Sequence, residues 1–212
     1  KRETPVCFIA TTESAAIIPE EVSNFFTGVI RSSAVSIISK SQKMIPGARN
    51  LCLLARDQTN LEERLERNAK LASQTGLTAE FQLFSNIAEI GPLMTEMKQR
   101  NDFILLSPPG ITKEDINEIV FWQEQLQLPV IGQVSRHIEA GLLGGPVIDQ
   151  EIVTPKLVEY ITKLLQGRPP GKLPVFHYVE KYMINLKTAT DLNFKIPAEI
   201  INQAEIVREH QQ

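Results

Sequence analysis

Short apolar runs alternate with stretches of helical periodicity from Asn50 onward, which is the pattern of a parallel sheet covered by helices. The runs Leu51 to Ala55, Ala79 to Phe84, Phe103 to Leu106 and Val130 to Gly132 read as strands buried on both faces. Between the first two, Leu61, Leu65, Ala69 and Ala72 fall on one helical face, and Gly76 supplies a left-handed stop. A second helix is predicted from about Asn86 to Arg100, with Ile87, Ile90, Leu93, Met94 and Met97 on its stripe. A third runs from Thr112 to Leu126 and turns Ile116, Ile119 and Val120 inward. Repeated strand-helix-strand units of this length predict an α/β fold, a doubly wound parallel-sheet lobe of about five strands.

Flanking segments extend this lobe at both ends. The run Val6 to Ala10 is one further strand upstream of this lobe. Ser33 can cap a helix through Ile45, which the turn Pro46-Gly47 ends. Thr154 and Pro155 have the form of an N-cap and first helical residue, leading a helix that buries Leu157, Ile161, Leu164 and Leu165 and stops at Gly167. After the proline-rich linker Arg168 to Gly171, residues Leu173 to Val207 read as a strand, a helix and a proline-started helix. The chain therefore reads as a doubly wound α/β lobe with flanking pieces at both ends that need a partner layer.

Composition narrows the function classes. An apolar fraction of 42%, a charged fraction of 22% and a net charge of -3 describe an ordinary globular chain. No basic stripe offers a face for phosphate backbones, so nucleic acid is not an expected partner. The longest apolar runs are strand-length, far short of the roughly 20 residues that cross a bilayer as a helix. Cys7 and Cys52 sit in strand-like runs and read as small apolar fillers.

The C-terminal quarter resembles one family. Leu173-Pro174-Val175, Ile184-Asn185-Leu186-Lys187-Thr188-Ala189, Ile196-Pro197 and Ala204-Glu205-Ile206-Val207 are similar, in order and spacing, to the ends of the periplasmic substrate-binding proteins of ABC transporters. Upstream, Pro5-Val6-Cys7-Phe8, Thr27-Gly28-Val29, Pro46-Gly47-Ala48-Arg49 and Leu128-Pro129-Val130-Ile131-Gly132 extend the resemblance over nearly the whole chain. It implies a type I periplasmic-binding fold, in which two α/β lobes joined by hinge strands close on a solute, with residues 1–33 as a first-lobe remnant and hinge that keeps Val6 to Ala10 outside the main sheet, 34–140 as the second α/β lobe, and 141–212 as a hinge return and C-terminal helices packing on both lobes. It further implies no enzyme activity and no cofactor, a periplasmic or extracytoplasmic location with or without a membrane anchor, and delivery of a small polar or amino-acid-like solute to an ABC permease. The strand-helix units that open the family's first lobe have no counterpart before Val6, so the chain reads as a member lacking that opening. Strands that have lost such neighbours tend to associate, and a homodimer is expected.

In an open parallel sheet, ligands bind beyond the carboxyl ends of the strands, where loop amides and helix N-termini converge. The candidates are Thr11, Thr12 and Glu13 after the first strand, Arg56, Asp57 and Gln58 after Ala55, Ser107, Pro108 and Pro109 after Leu106, and Gln133, Val134 and Ser135 after Gly132. Gly145, in the glycine-rich stretch Leu142 to Pro146, joins them. Asp57 and Ser107 are also residue types that cap helices and fill turns, which is the bland account of both. Two departures from the family bear on the ligand: Glu13-Ser14 stands where Asp-Pro is usual, and the glycine-rich stretch has no tyrosine to stack on a planar group.

Catalytic readings fare worse. His137, His177 and His210 lie in unrelated contexts with no metal-ligand spacing, and no nucleophile elbow, phosphate loop or dinucleotide fingerprint is present. Glu62-Glu63 and Glu114-Asp115 occupy first helical turns, where carboxylates favour the helix dipole. Two rival functions remain open: an extracytoplasmic ligand-sensing domain of a membrane histidine kinase or cyclase, and a flavodoxin-like or response-regulator-like cytoplasmic domain.

Overall fold

Residues 5–11, 26–59, 61–148 and 150–208 are described by the structure, a computed structural model. They divide into two compact units. The first comprises residues 1–33 and 148–180, the second residues 34–147 and 181–212.

In the second unit the strands are β3 (Asn50–Arg56), β4 (Thr78–Phe84), β5 (Phe103–Leu106), β6 (Val130–Ile131), β7 (Gly144–Val147), β9 (Lys181–Asn185) and β10 (Ala204–Val207). They form one seven-stranded sheet in the order β10-β9-β7-β6-β5-β3-β4. The first five of these strands pair in parallel, as expected for runs such as Leu51 to Ala55 that are buried on both faces.

Period-two alternation sorts the side chains. Leu51, Leu53, Ala55, Phe103 and Leu105 enter one core layer, and Cys52, Leu54, Ile104 and Leu106 the other. The first layer is covered by α1 (Ala34–Met44) through Ile37 and Ile38 and by α2 (Leu61–Ala72) through Leu61 and Leu65. The second is covered by α3 (Ile90–Lys98) through Met94 and Met97, by α4 (Lys113–Leu126) through Ile116 and Ile119, and by the short α5 (Ser135–Glu139) through Ile138. The chain leaves β3 over one face to reach β4, then returns over the other to β5. The neighbours β3 and β5 therefore flank the point where the strand order reverses.

Local chemistry starts and stops these helices much as the sequence indicates. Thr112 and Asp115 form a capping box at the start of α4, with the Thr112 hydroxyl accepting from the Asp115 N–H and the Asp115 carboxylate accepting from the Thr112 N–H. Asn86 caps a 3-10 turn, Ile87–Glu89, ahead of α3. Gly76, with φ of 79°, ends the turn that follows α2.

The C-terminal quarter differs from the sequence reading. Leu173 to Val175 is not a strand, and two strands, β9 and β10, flank the short helices α7 (Leu186–Asp191) and α8 (Ala198–Ile201). β9 runs antiparallel to β7, and β10 parallel to β9. Four- and five-residue strands interleaved with short helices have too few residues to show either periodicity clearly. Asn185 joins strand to helix: its side-chain oxygen accepts from the Thr188 N–H while its amide donates to the Ile138 carbonyl at 2.9 Å.

The first unit holds β1 (Val6–Thr11), β2 (Phe26–Arg31) and β8 (Phe176–His177) in a parallel three-stranded sheet of order β1-β2-β8. Val6 to Ala10 thus lies outside the main sheet, as expected. The helix α6 spans Gln150–Leu165 and packs Val153 with Val29 and Tyr178 in a small core. Pro155 sits inside α6 and not at its start, a correction to the sequence reading. An interior proline removes one backbone hydrogen bond, and burial of Val153 and Tyr160 on the same helix offsets that loss. Gly167, with φ of 85°, follows the last turn.

Candidate ligand crevice at the strand ends

Where strand order reverses, the loops leaving the neighbouring strands diverge to opposite faces and leave a crevice between them. Here those loops follow β3 and β5. Asp57 is anchored by its backbone, whose N–H donates to the Phe84 carbonyl at 2.8 Å, and its exposed side chain makes no hydrogen bond or ion pair among the described residues. The capping role open to an aspartate at this position is therefore not taken up. Gln58 lies against the opposite loop. A methyl group placed on Gly110 would stand 1.7 Å from the Gln58 amide nitrogen, the end of a flexible side chain that can swing aside, so it is the φ of 74° that favours glycine there.

Ser107 begins the loop after β5 and donates its backbone N–H to Leu54 at 2.8 Å. Its hydroxyl accepts from Arg64, on the first turn of α2, at 3.4 Å. Gln133, in the loop after β6, donates its amide to the Leu106 carbonyl at 3.0 Å and so braces the end of β5. Asp57, Gln58 and Ser107 are thus brought to the same two adjoining loops, with Gln133 beside them. Gly145 lies inside β7, opposite Met183, where an added Cβ would stand 1.8 Å from the Gly132 carbonyl oxygen. Thr11 ends β1 in the first unit, paired with Arg31. Thr12 and Glu13 lie outside the described residues.

The sequence reading placed Arg56 beside Asp57 after Ala55 and took Asp115 only as capping charge, and it missed their pairing. The Arg56 guanidinium reaches both Asp115 oxygens, at 2.6 and 2.7 Å, and the Ser85 carbonyl at 3.2 Å, while its face lies 5.8 Å from the Phe84 ring centre. The Asp115 side chain is 2% exposed. One carboxylate thus caps α4 and fixes the last residue of β3, so the crevice wall is tied to the helix on its far side. A charged residue at the end of an apolar run is the available signal for Arg56, but nothing in the spacing names its partner 59 residues on.

Behind the crevice, the loop from Gly141 to Leu143 is held by buried polar side chains. Gln123 donates to the Gly141 carbonyl and accepts from the Val130 and Leu143 N–H groups, and the Thr188 hydroxyl donates to Gly141 as well. His137, on α5, is 3% exposed, and its Nδ1 has no hydrogen-bond partner among the described residues. Burial first, and the Arg136 charge second, push its imidazole down to about 4.

Among solved structures the chain is similar to the ABC domain from Streptococcus pneumonia in complex with L-Trp, at 23% identity and a TM-score of 0.72 over 96% of this chain and 72% of that one. It is similar also to a ligand-free, open substrate binding protein with adhesive properties from Clostridium difficile, at 16% identity and a TM-score of 0.74 over 97% and 71%. A conserved domain protein from Vibrio cholerae aligns at 18% identity and a TM-score of 0.69 over 86% and 63%. These likenesses establish a periplasmic binding protein-like fold. No curated protein sequence matches the chain. Residues 1–208 match the family described as ABC transporter substrate binding protein, and the chain belongs to that family.

Proposed function

We propose that this solute-binding chain takes a small polar, amino-acid-like ligand in the crevice between the loops after β3 and β5, and delivers it to an ABC permease in an extracytoplasmic compartment. The observation that carries the reading is Asp57: a carboxylate at the topological switch point with no side-chain partner, beside Gln58 and Ser107. Such a group can accept from an amine, while the Ser107 hydroxyl and loop amides can donate to a carboxylate. The solved neighbour bound to L-Trp supports an amino-acid-like solute. No helix among the described residues is long and apolar enough to cross a membrane.

A thermal-shift screen of amino acids, sugars and small acids tests the reading. The expected outcome is stabilisation by an amino-acid-like compound that Asp57→Ala removes, since losing a charged contact that ligand binding has desolvated costs roughly 2 to 5 kcal/mol of affinity. A ligand whose stabilisation survives both Asp57→Ala and Ser107→Ala binds elsewhere, and the crevice assignment then fails.

A further inference from the structure

Asp57 and Arg64 bring opposite charges to the same crevice without pairing. Ion pairs among the described residues of the second unit include Arg56 with Asp115, Lys70 with Glu66, Arg100 with Glu80 and Glu96, and Lys187 with Asp191. Neither Asp57 nor Arg64 is among them. Arg64 extends from α2 toward the loop after β5, where its Nη2 donates to the Ser107 hydroxyl at 3.4 Å, the far end of hydrogen-bond reach. Holding a long side chain in that direction costs rotamer entropy, and one long contact returns little of it. Its other N–H groups have no partner among the described residues, and the Ser107 hydroxyl, which accepts here, keeps its own proton free to donate.

The amides at the start of α2 are poorly placed to bind an anion unaided. Glu62 and Glu63 occupy the same turn, and their charge offsets the positive end of the helix dipole. A carboxylate entering this crevice therefore needs a fixed cation. Arg56 is not available, because Asp115 neutralises it. Among the described residues, Arg64 contacts a crevice residue and has no carboxylate partner of its own.

We propose that Arg64 is the specificity-determining residue that selects carboxylate-bearing solutes, forming a fork with the Ser107 hydroxyl while Asp57 receives the ammonium group. The inference rests on the amino-acid-like reading above. It distinguishes an α-amino acid from its carboxamide, which keeps the amine and side chain but cannot accept a charge-assisted pair of hydrogen bonds from a guanidinium.

The test is calorimetric titration of the 212-residue chain and of Arg64→Gln, Arg64→Lys and Asp57→Ala with the common L-amino acids, their α-carboxamides and neutral sugars. For the amino acid that binds, the unsubstituted chain is expected to prefer the carboxylate over the carboxamide by about tenfold or more. That preference should fall to near unity in Arg64→Gln and be partly kept in Arg64→Lys, with urea midpoints unchanged because Arg64 is exposed. An undiminished preference in Arg64→Gln, with binding still lost in Asp57→Ala, overturns the role of Arg64 and leaves the crevice standing. Binding of sugars alone, or of no compound in the set, overturns both the amino-acid-like reading and the role of Arg64.

Discussion

His137 has lost most of its contact with water, and the cost of charging it there sets a pH dependence for the whole fold. Its folded value of about 4 lies below the ordinary 6.5, so above pH 6.5 both folded and unfolded chains carry it neutral. As pH falls from 6.5 toward 4 the unfolded chain takes up a proton that the folded chain refuses, and stability is lost through that window by roughly 2 to 3 kcal/mol. Urea unfolding of the parent chain and His137→Leu at pH 7 and pH 4.5 checks this: the variant should lose less stability on acidification. Gly145 makes a second residue-scale case. The Gly132 carbonyl stands where a side chain would begin, and a backbone oxygen cannot rotate aside, so Gly145→Ala should cost about 3 kcal/mol or more, read as a lower melting temperature. Its glycine is explained by backbone packing, whatever part the neighbouring loops play in binding.

At the scale of elements, the crevice depends on a carboxylate that serves a helix and a strand together. Asp115→Ala removes the carboxylate half of the capping box of α4, leaving the Thr112 hydroxyl on the backbone N–H of residue 115, and leaves the Arg56 guanidinium without its anion at the end of β3. The expected loss is roughly 2 to 4 kcal/mol, the sum of a cap and a partly buried pair. Asp115→Asn keeps an acceptor for the cap but not the charge, and should fall between the two in thermal unfolding; equal loss from both variants would mean that the cap contributes nothing. The start and face of α4 could be read from its sequence, because Thr112, Asp115 and the apolar spacing all lie within one segment. The pairing of Asp115 with Arg56 could not, because it depends on which strand the sheet places beside that helix end. The start of α6 was misread for a related reason: Pro155 fits the first turn of a helix by its own geometry, and tertiary burial carries the helix further back toward Gln150.

At the scale of the whole molecule, each unit contains one cysteine, Cys7 on β1 and Cys52 on β3. Both are free thiols, and burial raises the pKa of each, far more for the fully buried Cys52, where Glu80 adds to the effect. Reaction with a thiol reagent needs the thiolate and access, so labelling reports opening. Among the described residues, the first unit rests on three strands and a small core of Val29, Val153 and Tyr178, the second on seven strands and two core layers. Cys7 is therefore expected to label in the native state and Cys52 only as urea approaches the unfolding transition of its unit, followed by mass spectrometry of the two peptides. Equal native-state rates would show that the seven-stranded unit opens as readily as the smaller one.

The sequence by itself determined the parallel α/β lobe, the position of its buried strands and the separate place of Val6 to Ala10. Continuous apolar runs, helical spacing and capping residues act within a few residues of one another, and the chain states them directly. It also named Asp57, Gln58, Ser107 and Gln133, because strand ends in a parallel sheet are where loops converge. Only the tertiary structure decided that β9 turns back antiparallel to β7, that β3 and β5 flank the reversal of strand order, and that Asp57 is left without a partner while Arg56 is not. Those outcomes depend on which strands become neighbours and which charges then meet, distances that arise between segments far apart in the chain and that no local spacing encodes.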